Sequence, residues 1–467
     1  MSTFSGLTAA SSALLAARRG IDLVGQNTAN QITPGYTRQR LDLSAIDAVA
    51  VSGRFSTFAQ PGHGVSVDGV SRLGDAVLDA RVRDTLAASG YWATRAGVAA
   101  TAEATLAEPT ADGLADRMSQ FWAGWQELSN APDSPAAAAV VLTGAEALAG
   151  QIADGYRAIT GQWADARGRA EVMVAQVNAA AEQIADLNGA IRDAAASGAS
   201  VNELVDRRNV LAQTVARLSG AVGTVEPNGT LTLRLDGNAL VSGGTARGLT
   251  VTGPATLGAE GSVQLSWQGG PGRALAGGEL GGTLAALASA DDGGVLAGLA
   301  DTYNALATML AETVNAQHRQ GVRADGAAGG DFFALAATGP AALGLRVVPT
   351  GPGDLALAAP GAGALDGSNA DALALIGTRT DGPDALWADA ISRLAVSTAT
   401  DAGRASRADT AAVAAVSAQQ SLAGVDPDEE TVNLMTYQTL YQAAARVITA
   451  VDETLDVLIN RTGIVGR

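Results

Sequence analysis

The chain has 467 residues, a formal net charge of −17 and no cysteine. The length implies two to four domains with a substantial buried core. The acidity argues against a nucleic-acid partner, and the missing thiols exclude disulfides and thiolate metal sites. A mean hydropathy of +0.15 comes largely from alanine, and no uninterrupted apolar run reads as a bilayer span.

Residues 3–31 read as a first long helix. Leu7, Leu14, Ile21 and Thr28 recur every seven residues, with Ala10, Ala17 and Val24 between them. Arg18 and Arg19 follow the mild apolar stretch, unlike a signal peptide. That order favours the cytoplasm, or export by a machine that reads other signals. Asn27, Asn30, Pro34 and Gly35 end the helix in a turn. Thr37–Ile46 alternates weakly like a hairpin arm, and Val65–Val67 is a short alternating piece.

Helix resumes at Arg72 and runs through Leu106. Met118, Phe121, Trp122 and Trp125 have helical spacing and read as core anchors. Residues 136–219 give one or two long alanine-rich helices, broken at Gly198. The texture changes near residue 220, where Asn228-Gly229 and Asp236-Gly237 turns flank an alternating strand. Residues 221–268 are therefore a small β unit, followed by a loop over 269–282. Helix returns at Leu284 and strengthens over 295–317. Residues 340–375 read as short strand-like pieces, a second β patch or an extension of the first. Trp387–Gln420 is helical again.

The last stretch is the most regular. Leu434, Tyr441, Ile448 and Leu455 repeat at seven, with Tyr437, Ala444, Val451 and Leu458 three positions after each. This a/d pattern predicts a helix of roughly 30 residues with one apolar seam. Asp426, Asp428, Glu429 and Glu430 stand at its start and serve capping and solvation. Two one-sided helices at opposite ends of the chain suggest a terminal pairing, with independent packing on the core as the alternative. Each seam is an incomplete surface, and the ends are expected to order on assembly.

The expected fold is mainly α with inserted β regions: an elongated multidomain protein with paired N- and C-terminal helices. Residues 1–45 and 425–467 form a terminal helical domain. Residues 46–220, 269–339 and 376–424 form a helical middle, and 221–268 and 340–375 form β-rich outer regions. No phosphate loop, zinc-protease motif or dinucleotide fingerprint is present, and no cofactor or metal is expected. His63 and His318 each read as a lone surface histidine. A strongly basic flank, which a membrane-surface helix would carry, is missing from the terminal seam, so no membrane insertion is expected.

Several stretches carry a family resemblance. Ala29-Asn30-Gln31-Ile32-Thr33-Pro34-Gly35-Tyr36-Thr37-Arg38-Gln39 resembles the signature of flagellar rod, hook and hook-associated proteins. Phe4-Ser5-Gly6-Leu7 and Ala10 precede it in the family manner. Asn315-Ala316-Gln317-His318-Arg319-Gln320-Gly321, then Asp325-Gly326 and Gly329-Gly330-Asp331-Phe332-Phe333, resembles the flagellar hook-associated protein 1 family more specifically. Gly424–Glu430, Asn433-Leu434, Tyr437-Gln438, Tyr441–Ala443 and Ala445–Ile448 resemble its C-terminal signature.

The resemblance implies a structural, non-catalytic subunit of the first layer between hook and filament. The terminal helices would line an inner tube, and copies would close a ring or helical layer. The flagellar hook protein would lie below and the second junction protein above. Export would use the flagellar type III route, with a cytoplasmic export chaperone on the C-terminal helix, to an extracellular place in the flagellum. The interior after Phe333 is short, so no large outer domain is expected. The competing functions are a secreted cell-wall glycan hydrolase, which would need a carboxylate pair brought together by the fold, and another axial rod or hook subunit.

Overall fold

The two terminal helices meet. In a computed structural model describing residues 3–47, 62–270, 272–363 and 365–461, helix α1 (Thr3–Ala29) packs along helix α11 (Pro427–Asp456). Asp426 caps α11 by accepting from the Asp428 and Glu429 amides at 2.8 and 3.3 Å, and Pro427 opens its first turn. A short π turn continues α11 to Arg461. After α1, strands β1 (Gln39–Ile46) and β2 (Gly64–Arg72) form an antiparallel hairpin that lies on α1.

Helices α2 (Ala76–Leu106), α3 (Leu114–Asn130), α4 (Pro135–Ala196) and α5 (Asn202–Ser219) build the body. At 1.5 Å per residue, α4 is roughly 90 Å long. Ser134 caps it and Pro135 starts it. Among the described residues it is the one helix long and apolar enough to cross a membrane. Here Ala145, Leu148 and Ile152 are fully buried against the other helices. Met118, Phe121, Trp122 and Trp125 of α3 sit in the same core, as their spacing predicts.

The far half of α4 carries the β unit. Strands β3 (Val222–Val225), β4 (Leu231–Leu235), β5 (Asn238–Ser242) and β6 (Thr245–Ala246) form one antiparallel sheet in that order. A second sheet contains β7 (Leu249–Thr252), β8 (Gln264–Trp267) and β9 (Arg273–Ala274). Asp236 and Gly237 both have positive φ, the conformation of the tight hairpin turn expected there. Two helix amides replace missing strand partners. Asn188 donates to Leu231 O and accepts from Leu231 N, both at 2.8 Å, and Asn178 does the same with Leu249 at 2.9 and 2.8 Å.

The chain returns through α6 (Gly278–Ala286) and α7 (Val295–His318), so helix begins inside the expected 269–282 loop. The next stretch holds β10 (Val322–Arg323), β11 (Phe333–Ala334), α8 (Ala341–Gly344), β12 (Arg346–Val347), β13 (Ala356–Ala358) and α9 (Ser368–Ala374). Residues 340–375 thus differ from the expected β patch. Their two short strands pair with β10 and β11, not with the 221–268 sheets. Leu355, Ala370 and Leu373 join the main helical core. Of the scattered apolar residues that suggested strands, Val347 and Leu357 lie in β12 and β13, and Leu345 and Leu355 are buried in that core. Helix α10 (Pro383–Ala423) then runs back along α2, held by an Arg95–Asp401 ion pair at 2.7 Å, and leads into α11.

Candidate assembly site

The α1 face toward α11 keeps the small-residue half of the expected seam and shifts away from its heptad leucines. Ala10, Ala17, Gly20, Val24 and Asn27 are buried, whereas Leu7, Leu14 and Ile21 are only half-buried and Thr28 is exposed. The small residues mark the line of closest approach, and the leucines flank it. Thr28 turns its hydroxyl back to Val24 O at 2.8 Å. The hairpin sets this offset: Ser12 of α1 accepts from Val65 N at 3.2 Å, bringing β2 onto the small-residue side. Phe4 of the N-terminal motif lies outside the residues whose side chains are described.

On α11, Ala444 is buried and Leu434, Tyr437, Ile448, Val451 and Leu455 are half-buried. Tyr441 and Leu458 remain exposed, at 39% and 50%. Leu440 and Val447, outside the a/d series, are 51% and 47% exposed. At 100° per residue, Leu440 and Val447 fall on one flank of the buried line. The apolar arc of α11 is therefore wider than α1 covers.

A polar latch closes one end of the pair. Asn27 is buried; its Oδ1 accepts from the Tyr36 hydroxyl at 2.8 Å and from Gln39 N at 3.1 Å. Its Nδ2 donates to Gln39 O at 2.9 Å and to Glu430 Oε2 at 3.2 Å. Glu430 is buried and also accepts from Arg38 Nε at 2.7 Å, while Arg38 Nη1 pairs with Glu429. Glu430 is thus no solvating acid, contrary to its sequence reading. A carboxylate taken from water needs a charged partner and full hydrogen bonding, and Arg38 and Asn27 supply both.

The latch extends into the body. Thr37 N donates to Asp206 of α5 at 3.1 Å, and Arg72 Nε donates to the same carboxylate at 2.8 Å. Asn202 donates to Gln39 Oε1 at 3.2 Å. Arg38 N donates to Ala423 O at the end of α10, at 2.8 Å. Burial, with Asp206, Glu203 and Glu430 adding their fields, pushes the Tyr36 hydroxyl up to about 12.

The signature turn positions these groups. Thr33 N donates to Asn30 O at 2.9 Å, and Tyr36 N to Thr33 O at 3.1 Å. Pro34 is exposed. Gly35 has φ +78, and a Cβ there would overlap Val210 Cγ2. The turn swings Tyr36 back under Asn27.

The interior motif forms a separate clamp. Asn315 Oδ1 accepts from the Phe332 and Phe333 amides, each at 2.8 Å, and its Nδ2 donates to Phe333 O at 2.7 Å. His318 is buried, contrary to the expected surface histidine. Its Nδ1 lies 2.8 Å from Gly330 O and its Nε2 accepts from Ala356 N at 3.0 Å. These partners fix the neutral Nδ1–H tautomer. Gln317 donates to Asn369 Oδ1 at 2.8 Å, Asp331 pairs with Arg319, and the Phe332 ring packs 5.3 Å from Trp125. The family-motif residues therefore lie at two places: Asn30–Tyr36 at the latch, and Asn315–Phe332 in the body.

Gly20, Asn27, Arg38 and Asp206 lie outside the heptad pattern and stand out as functional residues only in the fold. Gly20 carried a usable signal. A glycine inside an alanine-rich helix costs about 1 kcal/mol, which a close helix contact offsets. Asp206 gave none, because its partners are far away in sequence.

Residues 99–333 match the family described as the flagellar hook-associated protein FlgK helical domain. Residues 418–461 match the flagellar basal body rod FlgEFG protein C-terminal family. The chain is 30% identical to flagellar hook-associated protein 1 of Bacillus subtilis over 511 aligned positions, covering all of both chains. It is 29% identical to the Salmonella typhimurium protein of the same name over 340 residues, 70% of this chain and 58% of that relative. The solved flagellar hook junction protein FlgK of Burkholderia pseudomallei superposes with a TM-score of 0.61, covering 75% of this chain and all of that one at 16% identity. That likeness is one of fold.

Proposed function

The chain belongs to the flagellar hook-associated protein 1 family, and from that membership we propose how its parts work. It is a structural subunit of the bacterial flagellum at the hook–filament junction. Helices α1 and α11 line the inner tube of this layer, and copies close a ring or short helical turn. The flagellar hook protein takes one face and the second junction protein the other. A cytoplasmic export chaperone covers α11 before type III export to the cell exterior. The role is architectural, without catalysis.

The observation that supports this reading most is the uncovered flank of α11. Leu440 and Val447 stay half in water beside a seam that is already paired. Covering each yields about 1 kcal/mol, little for one contact and a great deal when every subunit of a closed layer repeats it. The same flank is an aggregation hazard in the free chain, which gives a chaperone groove its purpose.

The domain division follows. Residues 1–45 and 425–467 form the tube part. Residues 46–220, 269–339 and 376–424 form the middle, with 221–268 facing outward. Residues 340–375 move from the outer region to the middle, because their buried side chains belong to its core.

Deleting the gene tests the reading. Cells are expected to build hooks that carry no filament, and a copy lacking residues 430–467 is expected to stay folded without restoring attachment. Filaments still seated on the hooks of the deletion strain would overturn it.

A further inference from the structure

A cavity of about 400–540 Å³ class would be unremarkable in a body of this size, but the one between α2, α5 and the β3–β4 turn is lined by cations: it measures about 540 Å³ and includes Arg72, Arg83 and Arg208. Arg72 is matched by Asp206 at 2.6 Å. Arg83 and Arg208 are 4% and 2% exposed, and neither forms an ion pair among the described residues. Their protein partners are neutral. Arg83 Nη2 donates to Gly223 O at 3.2 Å; Arg208 Nη1 donates to Gly229 O at 2.6 Å and to Asn188 Oδ1 at 3.3 Å. The Nε of each is buried without a hydrogen-bond partner. The one acid of the lining, Asp79, accepts from Asn209 and Gln419 and forms an ion pair with neither arginine, although its charge acts on both.

Two buried guanidiniums that no carboxylate touches are costly, even with Asp79 and Asp84 acting on them from a distance, because removing a cation from water demands a closely paired anion. Burial, and then repulsion from Arg72 and Arg83, outweighs the attraction of Asp79 and pulls the Arg208 guanidinium down to about 10. The site is electrostatically unfinished in a chain whose net charge is −17.

We propose that this cavity binds a tetrahedral oxyanion, phosphate or sulfate, between Arg83 and Arg208. Planar guanidinium forks suit such oxygens. The bound anion joins α2, α5 and the β3–β4 turn, directly behind the Arg72–Asp206 end of the latch. It thereby stiffens the connection between the terminal pair and the body.

The test is a calorimetric titration of the full chain with inorganic phosphate and, separately, sulfate, at constant ionic strength set with chloride. Saturable one-to-one binding of either is expected. Arg83→Gln should weaken it about tenfold or more, whereas Arg157→Gln, at an exposed pair with Asp154, should leave it unchanged. Comparing the two salts distinguishes which oxyanion is preferred. A non-specific salting effect would grow without saturation and be equal in all variants. That outcome, or no heat from the native chain with either anion, overturns the proposal.

Discussion

Tyr437 of α11 lies against Gly20 of α1 so closely that a Cβ on the glycine would stand 2.5 Å from ring atoms Cδ1 and Cε1 and 2.6 Å from Cγ. Because Cγ is near the tyrosine backbone, the ring cannot swing clear without moving its helix. The contact sets the spacing of the terminal pair.

Gly20→Ala should therefore separate two effects. Alanine favours the helix by about 1 kcal/mol, yet overpacking the contact costs roughly 1–3 kcal/mol. The expected result is faster amide hydrogen exchange across 427–456 with the body protected as before. Unchanged exchange in α11 would show that the contact does not control pairing.

The Tyr36 hydroxyl gives the latch a pH signature. Its folded pKa of about 12 lies above the ordinary value of 10.0. The folded state therefore holds the proton more tightly, and this stabilisation is complete below about pH 10. It is lost as pH rises from 10 through 12. Denaturant melts across that range should show the loss, and Tyr36→Phe should remove this component of it. The phenylalanine variant should also be about 1 kcal/mol less stable at neutral pH, since Asn27 loses one donor.

The interior clamp is expected to govern folding of the body, not assembly. Asn315→Ala leaves two buried amides and a carbonyl without their partner and should cost about 2–4 kcal/mol. His318 adds a milder acid sensitivity, because burial holds its pKa below the ordinary 6.5. Its contribution is complete above pH 6.5 and is lost as pH falls through the depressed folded value. Melting curves of Asn315→Ala, and of the parent between pH 7 and 5, check both expectations.

The helices were legible because their apolar spacing is local and long: α11 spans Pro427–Asp456, close to the stretch its heptads marked. On α1 the small residues of the seam, Ala10 and Ala17, were legible as well, but Gly20 was not, and Leu7, Leu14 and Ile21 prove to flank the line of approach. Glu430 and His318 were misread for one shared reason. A polar residue's burial depends on partners remote in the chain, Asn27 and Arg38 for the first and Gly330 and Ala356 for the second. Residues 340–375 were half legible: Val347 and Leu357 do lie in short strands, but the helices α8 and α9 between glycines are too short to show a period, and Leu345, Leu355 and Leu373 pack into the helical core.

The uncovered flank of α11 can be charged without touching the pair beneath it. Leu440→Lys combined with Val447→Lys keeps good helix formers at two half-exposed sites and should change the melting temperature little. Expressed in a strain lacking the native gene, this double variant should leave hooks without filaments when they are counted by electron microscopy. Hooks carrying filaments at the parental frequency would mean that neighbouring subunits do not cover this flank.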